Sequence, residues 1–143
     1  MARPLIVLAG CTDGTYLVEI GASAEEDQPA GHQPGAAIER ERPLGLAPSW
    51  AARHVLDVDA QGSTVILLVD RRPPLLVSYD GGTTWTERGS GLPSGRAVAI
   101  GDNPDHVLYG ARYRLYVSGD GGRFWRALEV ELPEITAVSF AAG

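Results

Sequence analysis

The basic residues of this chain are all of one type, and that type is well suited to holding anions. All twelve are arginines and none is lysine, in a sequence of 143 residues with a formal net charge of −6 at pH 7. A guanidinium group binds a carboxylate or a phosphate through two parallel hydrogen bonds, which an ammonium group does not do. The arginines therefore indicate either an anion-binding surface or codon bias, which would produce the same composition.

The other residues that could do chemistry lack the spacing that chemistry needs. His32, His54 and His106 are not spaced as metal ligands, and the sequence contains no phosphate-binding loop and no readable Ser-His-Asp arrangement. Cys11 is the only cysteine, so it has no partner for an internal disulfide and is interpreted as a small residue at a strand end. The sequence therefore predicts no metal, no cofactor and no identifiable catalytic residue.

Two eight-residue segments each place an aspartate in the same surroundings. Residues 78–85 read SYDGGTTW and residues 118–125 read SGDGGRFW, forty positions apart. An aspartate followed by two glycines combines a side chain that hydrogen-bonds nearby backbone N–H groups with positions that tolerate positive φ. Each segment follows an apolar strand, so each predicts a β-hairpin. A repeat of this length is typical of a propeller, a solenoid or an array.

The two segments resemble the Asp-box, or bacterial neuraminidase repeat, whose pattern is Ser-x-Asp-x-Gly-x-Thr-Trp. The first segment matches fully, and the second carries Phe124 where the pattern has Thr. The resemblance implies hairpins on the outer part of β-propeller blades, away from the binding face. It also implies a structural role, in preference to a calcium-binding or catalytic one, for the matching residues: Ser78, Asp80, Gly82, Trp85, Ser118, Asp120, Gly122 and Trp125.

Around the hairpins the sequence predicts four strands in every forty or so residues, which is the period of a propeller blade. The predicted strands of the two best copies are 54–58, 65–69, 75–78 and 85–88, then 96–100, 106–110, 115–118 and 125–128. The N-terminal copy keeps its second and third strands at 5–10 and 15–18. Its hairpin is replaced by residues 21–35, which predict a mobile surface loop or a partner-binding loop, and 36–40 is its candidate fourth strand.

The C-terminal residues 135–140 match a first strand, although the chain begins on a second strand. The prediction is a single all-β domain over residues 1–143, with three propeller-type blades of four antiparallel strands. A three-blade arc leaves sheet edges open, and propellers have about four to eight blades. We therefore predict a six-bladed homodimer in which residues 135–140 of each chain complete the N-terminal blade of the other. A larger ring or a filament is the open alternative.

A propeller plan predicts where a binding face would lie. Loops before first strands and loops between second and third strands share one face of a propeller, and here they carry Arg53, His54, Arg71, Arg72, Arg96, Arg112, Tyr113 and Arg114. This face would favour carboxylates or phosphates, although arginine is also common in exposed loops generally. On the first strand of its blade, Asp57 is expected to line the channel and to pair with an arginine, with Leu56 and Val58 pointing into the blades.

The functional prediction is a non-catalytic module for protein binding or assembly, with the arginine face holding an acidic partner or another anion. One alternative is a carbohydrate-binding, sialidase-like or glycoside-hydrolase-like protein that holds sugar with Tyr113, Trp50 and the arginines; no complete sialidase set of residues can be identified. The other is a purely structural assembly subunit. The net negative charge argues against general nucleic-acid binding. No apolar stretch approaches the ~18 residues of a membrane span, so a cytoplasmic protein is expected.

Overall fold

The computed structural model describes residues 5–20 and 54–142, and this part of the chain forms eleven strands. The strands are β1 (Leu5–Cys11), β2 (Gly14–Ile20), β3 (Val55–Gln61), β4 (Thr64–Val69), β5 (Leu75–Ser78), β6 (Thr86–Arg88), β7 (Ala97–Ile100), β8 (Val107–Gly110), β9 (Arg114–Ser118), β10 (Arg126–Glu131) and β11 (Ile135–Ala142). Four predicted features lie outside the described residues: the loop 21–35, the strand 36–40, Trp50 and Arg53.

The strands make three antiparallel sheets, which we number in their spatial order. Sheet I is β3-β4-β5-β6, sheet II is β7-β8-β9-β10 and sheet III is β11-β1-β2. The first strands β3, β7 and β11 lie side by side with β7 in the middle, so that sheet II separates sheet I from sheet III. The prediction of an all-β fold built from antiparallel sheets is confirmed.

Sheet II is covered on both faces, and this explains the apolar sequence of its central strands. Every residue of β7 and β8 is buried. One hydrophobic cluster, which contains Ile66 and Tyr109, joins sheets I and II, and a second, which contains Leu108 and Ile135, joins sheets II and III. A strand buried on both faces reads as a continuous apolar run, whereas a strand packed on one face alternates.

The C-terminal strand completes the N-terminal sheet, and it does so within one chain. β11 pairs antiparallel with β1, with Val7 opposite Phe140 and Ala9 opposite Val138. The sequence predicts this pairing between two chains, and the difference follows from the short connection that precedes β11. The Ile135 N–H donates to the Arg112 carbonyl at 2.8 Å, which turns the chain back towards sheet III. A ring of two chains stays a prediction.

The residues of β3 differ from their expected environment. Leu56 and Val58 are 49% and 53% exposed, although the sequence predicts that they point into the blades. Val58 lies opposite Leu67, which packs on the side of sheet I away from the cluster shared with sheet II, and no described strand covers that side.

Within the described residues, no helix is long and apolar enough to cross a membrane.

Candidate functional site

The antiparallel strands divide the connections of sheets I and II between two ends. At the hairpin end, residues 78–85 and 118–125 each contact the turn between the first two strands of their sheet: the Gly81 N–H donates to the Ser63 carbonyl at 2.8 Å, and the Gly121 N–H donates to the Asp105 carbonyl at 2.9 Å. The connections β4–β5, β8–β9 and β10–β11 lie at the opposite end, which we call the loop end. The predicted arginine residues that the structure describes belong to the loop end.

At the hairpin end the aspartates hold their own turns. Ser78 Oγ donates to Asp80 Oδ1 at 2.8 Å and accepts from the Gly82 N–H at 2.7 Å. The backbone N–H of Thr84, then its hydroxyl and the Ser78 hydroxyl, lower the pKa of Asp80 to about 2. Hydrogen bonds to the charged form have this effect on a carboxylate.

The second hairpin repeats the arrangement. Ser118 Oγ donates to Asp120 Oδ1 at 2.8 Å and accepts from the Gly122 N–H at 2.9 Å. The indole of Trp125 donates to the Gly122 carbonyl at 2.8 Å, as the indole of Trp85 does to the Gly82 carbonyl at 3.1 Å. These polar groups are engaged within the hairpins.

At the loop end, two arginines share one carboxylate. Glu134 Oε2 lies 3.0 Å from Arg96 Nη1 and 3.6 Å from Arg112 Nε, and both guanidinium groups remain partly exposed. The Arg112 guanidinium also lies 5.2 Å from the centre of the Tyr113 ring, which is 42% exposed. Two guanidinium charges against one carboxylate leave one net positive charge beside an exposed aromatic ring. Glu134 is not predicted from the sequence, where its only signal is its position directly before β11.

Two of the predicted arginines instead support the backbone. Arg72 Nη1 donates to the Leu92 carbonyl at 2.6 Å. Arg114 Nη1 donates to the carbonyls of Leu128 and Glu129, at 2.9 and 3.1 Å. These hydrogen bonds join the β4–β5 connection to the segment before β7, and the start of β9 to β10. The two guanidinium groups are therefore held close to the protein surface.

The remaining loop-end residues lie around sheet I. Arg71 and Arg72 line a cavity of about 200 Å³ together with Ser94 and Gly95. His54 lies directly before β3, where its carbonyl accepts from the Asp70 N–H at 2.8 Å. The structure therefore places His54, Arg71 and Arg72 near one another, and Arg96, Arg112 and Tyr113 around Glu134.

The first strands line a groove of about 650 Å³, with Arg96 among its lining residues. Asp57 and Asp59 also line this groove, and their carboxylates join two strands. Asp57 accepts from the Val58 N–H at 2.9 Å and from the Val98 N–H at 3.0 Å. Asp59 does the same for the N–H groups of Ala60, at 2.9 Å, and Ile100, at 2.8 Å.

The two aspartates thus form bridges between the edges of β3 and β7, where backbone N–H groups would otherwise lack a strand partner. The Asp57 carboxylate accepts from two backbone N–H groups, whereas the sequence predicts an arginine as its partner. The alternating acids of β3 are a signal that sequence analysis could have used for Asp59.

Other ionisable groups have perturbed environments without forming a cluster. Burial, followed by the nearby charge of Asp13, raises the pKa of the Cys11 thiol. Burial also raises the pKa of Tyr109, whose side chain is fully enclosed between sheets I and II. Among residues 5–20 and 54–142, no three His, Cys, Asp or Glu side chains are grouped as metal ligands.

Compared with family models, with curated proteins and with solved structures, the chain gives no match.

Proposed function

We propose that the three sheets are consecutive blades of an Asp-box β-propeller module that binds a partner and performs no catalysis. Support comes from the repeated strand order of sheets I and II and from their two hairpins, which share hydrogen bonds as well as sequence. Because one chain contains three sheets, two chains would supply the six blades of a closed ring. The first strands would then surround a channel, and the loop end would surround its mouth.

The binding surface that we propose is the group formed by Arg96, Arg112, Tyr113 and Glu134. The observation that carries the proposal is the sharing of one carboxylate by two partly exposed guanidinium groups. An incoming carboxylate could approach Arg112 without displacing Glu134 from Arg96, because the Glu134 contact is shorter to Arg96 than to Arg112. The chemistry fits an acidic protein segment, whose carboxylates would form charge-assisted hydrogen bonds with these groups.

A labelled hexaglutamate peptide tests this proposal by fluorescence anisotropy, with hexalysine as the probe of opposite charge. We expect hexaglutamate alone to bind, and roughly 0.5 M salt to weaken it, because salt screens exposed charges. Replacing Arg96 or Arg112 by Gln should each raise Kd roughly three- to tenfold, the range of an exposed charge-assisted contact.

Arg123→Gln is the matched control. It changes the net charge by the same amount, but Arg123 lies at the hairpin end, where its guanidinium donates to the Asp120 carbonyl. Its Kd for hexaglutamate should stay unchanged. An equal loss in all three variants would show nonspecific attraction, and no binding by the unmodified protein would contradict the acidic-partner proposal.

The exposed ring of Tyr113 favours a second candidate, a sugar-binding surface at the same place. An aromatic ring packs against the apolar face of a sugar, and Arg112 beside it would hold a sugar carboxylate. Sialyllactose, lactose and a fluorogenic sialoside separate the possibilities. Binding of sialyllactose that is lost in Tyr113→Ala would support the sugar site, and hydrolysis of the sialoside would overturn the non-catalytic proposal. If neither peptide nor sugar binds, the purely structural subunit is the function that remains.

A further inference from the structure

Matching positions in the repeated sheets show how each sheet packs on the next. Ile66 pairs with Val77 in sheet I, and Leu108 pairs with Val117 in sheet II. The first pair lies in the cluster between sheets I and II, and the second lies in the cluster between sheets II and III. We call this side of each sheet its leading face, because it packs against the following sheet.

The leading face of sheet III has no described sheet against it. Its matching pair is Leu8 and Leu17, which lie opposite one another on β1 and β2. Leu17 is 66% exposed, the highest value among the large apolar side chains of the described residues, and Leu8 is half-buried. In the other two sheets, the residues that match Leu8 are Ile66 and Leu108, and both are fully buried. Of the residues that match Leu17, Val77 is fully buried and Val117 is half-buried. Sheet III therefore ends on an apolar face of the kind that the chain covers elsewhere.

We call the opposite side of each sheet its trailing face, because it packs against the preceding sheet. Sheet I is the one described sheet that has no preceding sheet. Tyr109 and Trp125 of sheet II pack against sheet I and are fully buried. The matching residues of sheet I are Leu67 and Trp85, which pack together on the side away from sheet II. Val58, opposite Leu67 on β3, extends this face and is 53% exposed. Among the described residues, no sheet packs on this trailing face, and Val58 is exposed on it although Trp85 is buried.

We infer that the leading face of sheet III in one chain packs on the trailing face of sheet I in a second copy of the chain. The occupant follows from the two interfaces inside the chain, each of which joins a leading face to a trailing face. A second copy carries the one face that each end lacks. Such head-to-tail contacts close into a ring when the rotation permits, and three sheets per chain fit two contacts in a six-sheet ring.

This inference rests on the ring proposed above, and it names the surface by which the ring closes. It assigns closure to two sheet faces and not to an exchange of residues 135–140, because β11 already pairs with β1 of its own chain. It does not depend on the anion-binding surface, which lies at the loop end and not on these faces.

Light scattering coupled to gel filtration tests the contact. At micromolar concentration the unmodified chain should have the mass of two chains. Leu17→Lys and Val58→Glu should each raise the dimer dissociation constant by at least roughly tenfold, since each places a charge in the centre of an apolar contact. Both side chains are more than half exposed, so circular dichroism should show an unchanged fold.

Val130→Lys is the matched control, because Val130 is 42% exposed on β10 of sheet II, away from both end faces. It should remain dimeric. An equimolar mixture of Leu17→Lys and Val58→Glu should regain the mass of two chains. The mixed pair has one unmodified contact and one contact in which Lys faces Glu, whereas each variant alone damages both contacts.

The outcomes separate the two proposals. A monomeric unmodified chain overturns both the ring and this contact, and a mass above two chains overturns closure by two copies. A dimer that survives Leu17→Lys or Val58→Glu overturns this contact while the ring itself stands. Dissociation in Val130→Lys, or a mixture that stays monomeric, also overturns the head-to-tail contact.

Discussion

The two repeated hairpins, residues 78–85 and 118–125, have the same internal hydrogen bonds but different surroundings. In both, the serine hydroxyl lies 2.8 Å from the aspartate and accepts from the second glycine. Residues 118–125 are packed by a neighbour, since the Tyr79 hydroxyl donates to the Gly121 carbonyl at 2.8 Å and the Arg123 guanidinium lies 4.6 Å from the Tyr79 ring centre. Residues 78–85 lie on the end sheet, and Gly81 is exposed where Gly121 is buried.

The repeated sequence therefore determines the conformation of each turn, and the neighbouring sheet determines how firmly the turn is held. Tyr79, the second residue of the first hairpin, reaches across to the second hairpin. Gly119 occupies the same position in the second hairpin and has no side chain to reach further. The two turns should therefore respond unequally to matched substitutions, although their sequences are nearly the same.

The largest difference is expected for the two tryptophans. Trp125 is fully buried in the cluster between sheets I and II, so Trp125→Ala should lower the free energy of unfolding by about 3 to 5 kcal/mol. Trp85 is also buried, but it packs in a smaller cluster that no described sheet covers, so Trp85→Ala should lower the free energy of unfolding by less than Trp125→Ala does. Urea unfolding followed by circular dichroism measures both.

Protein concentration provides the control for this comparison. If the trailing face of sheet I is covered by a second copy, the cost of Trp85→Ala should rise with concentration, because the variant then also weakens association. The cost of Trp125→Ala should change less. If both tryptophan variants lower the free energy of unfolding equally in dilute solution, the position of a sheet among the three does not determine the stability of its hairpin.

A smaller effect is expected at the contact between the hairpins. Tyr79→Phe keeps the ring but removes two hydrogen bonds, the one to the Gly121 carbonyl and a longer one that the hydroxyl accepts from Arg88 Nε at 3.3 Å, so it should cost about 1 to 2 kcal/mol. Hydrogen exchange should report faster opening of residues 118–125 than of residues 78–85. Tyr113→Phe, at the loop end, is the matched control and should leave both hairpins unchanged. Faster opening of residues 78–85 alone would contradict a role for Tyr79 in holding the second turn.

The strand order could be predicted because its signals are local. Glycine pairs after Asp80 and Asp120 specify the turns, and apolar runs on either side specify the strands. The bridges from Asp57 and Asp59 could not be predicted in the same way, because each joins β3 to an N–H group forty-one positions further along the chain. Their partners exist only after two sheets have packed.

The candidate site could also be predicted only in part, because its contacts join residues that are distant in the sequence. Its arginines are visible in the sequence, but the carboxylate that joins Arg96 to Arg112 belongs to the connection before β11. Sequence position alone also does not distinguish Arg114, which donates to two carbonyls, from Arg112, which lies two residues earlier and contacts Glu134. The exposure of Val58 likewise depends on the place of its sheet in the structure. Sheet I is at one end of the three described sheets, and the matching residue of the middle sheet, Val98, is buried.

The smallest and most specific difference concerns acid. Asp80 accepts from the Thr84 hydroxyl at 2.7 Å, whereas the second hairpin has Phe124 at that position. Because the folded pKa of Asp80, about 2, lies below the ordinary value of 3.8, its contribution to stability is complete above pH 4 and is lost as the pH falls towards 2. Thr84→Val should therefore raise the pKa of Asp80 towards 3.8 in an NMR titration.

The same variant should lower the melting temperature at pH 6, and the deficit should shrink as the pH falls from 4 to 2, because protonated Asp80 no longer gains from the bond. Thr83→Val, next to it and also exposed, controls for the change of residue type. Conversely, Phe124→Thr should stabilise the second hairpin at pH 6 by supplying the hydroxyl that it lacks. If the melting temperature of Thr84→Val is lowered by the same amount from pH 4 to pH 2, the effect comes from packing. The Asp80 carboxylate would then not explain the difference between the two turns.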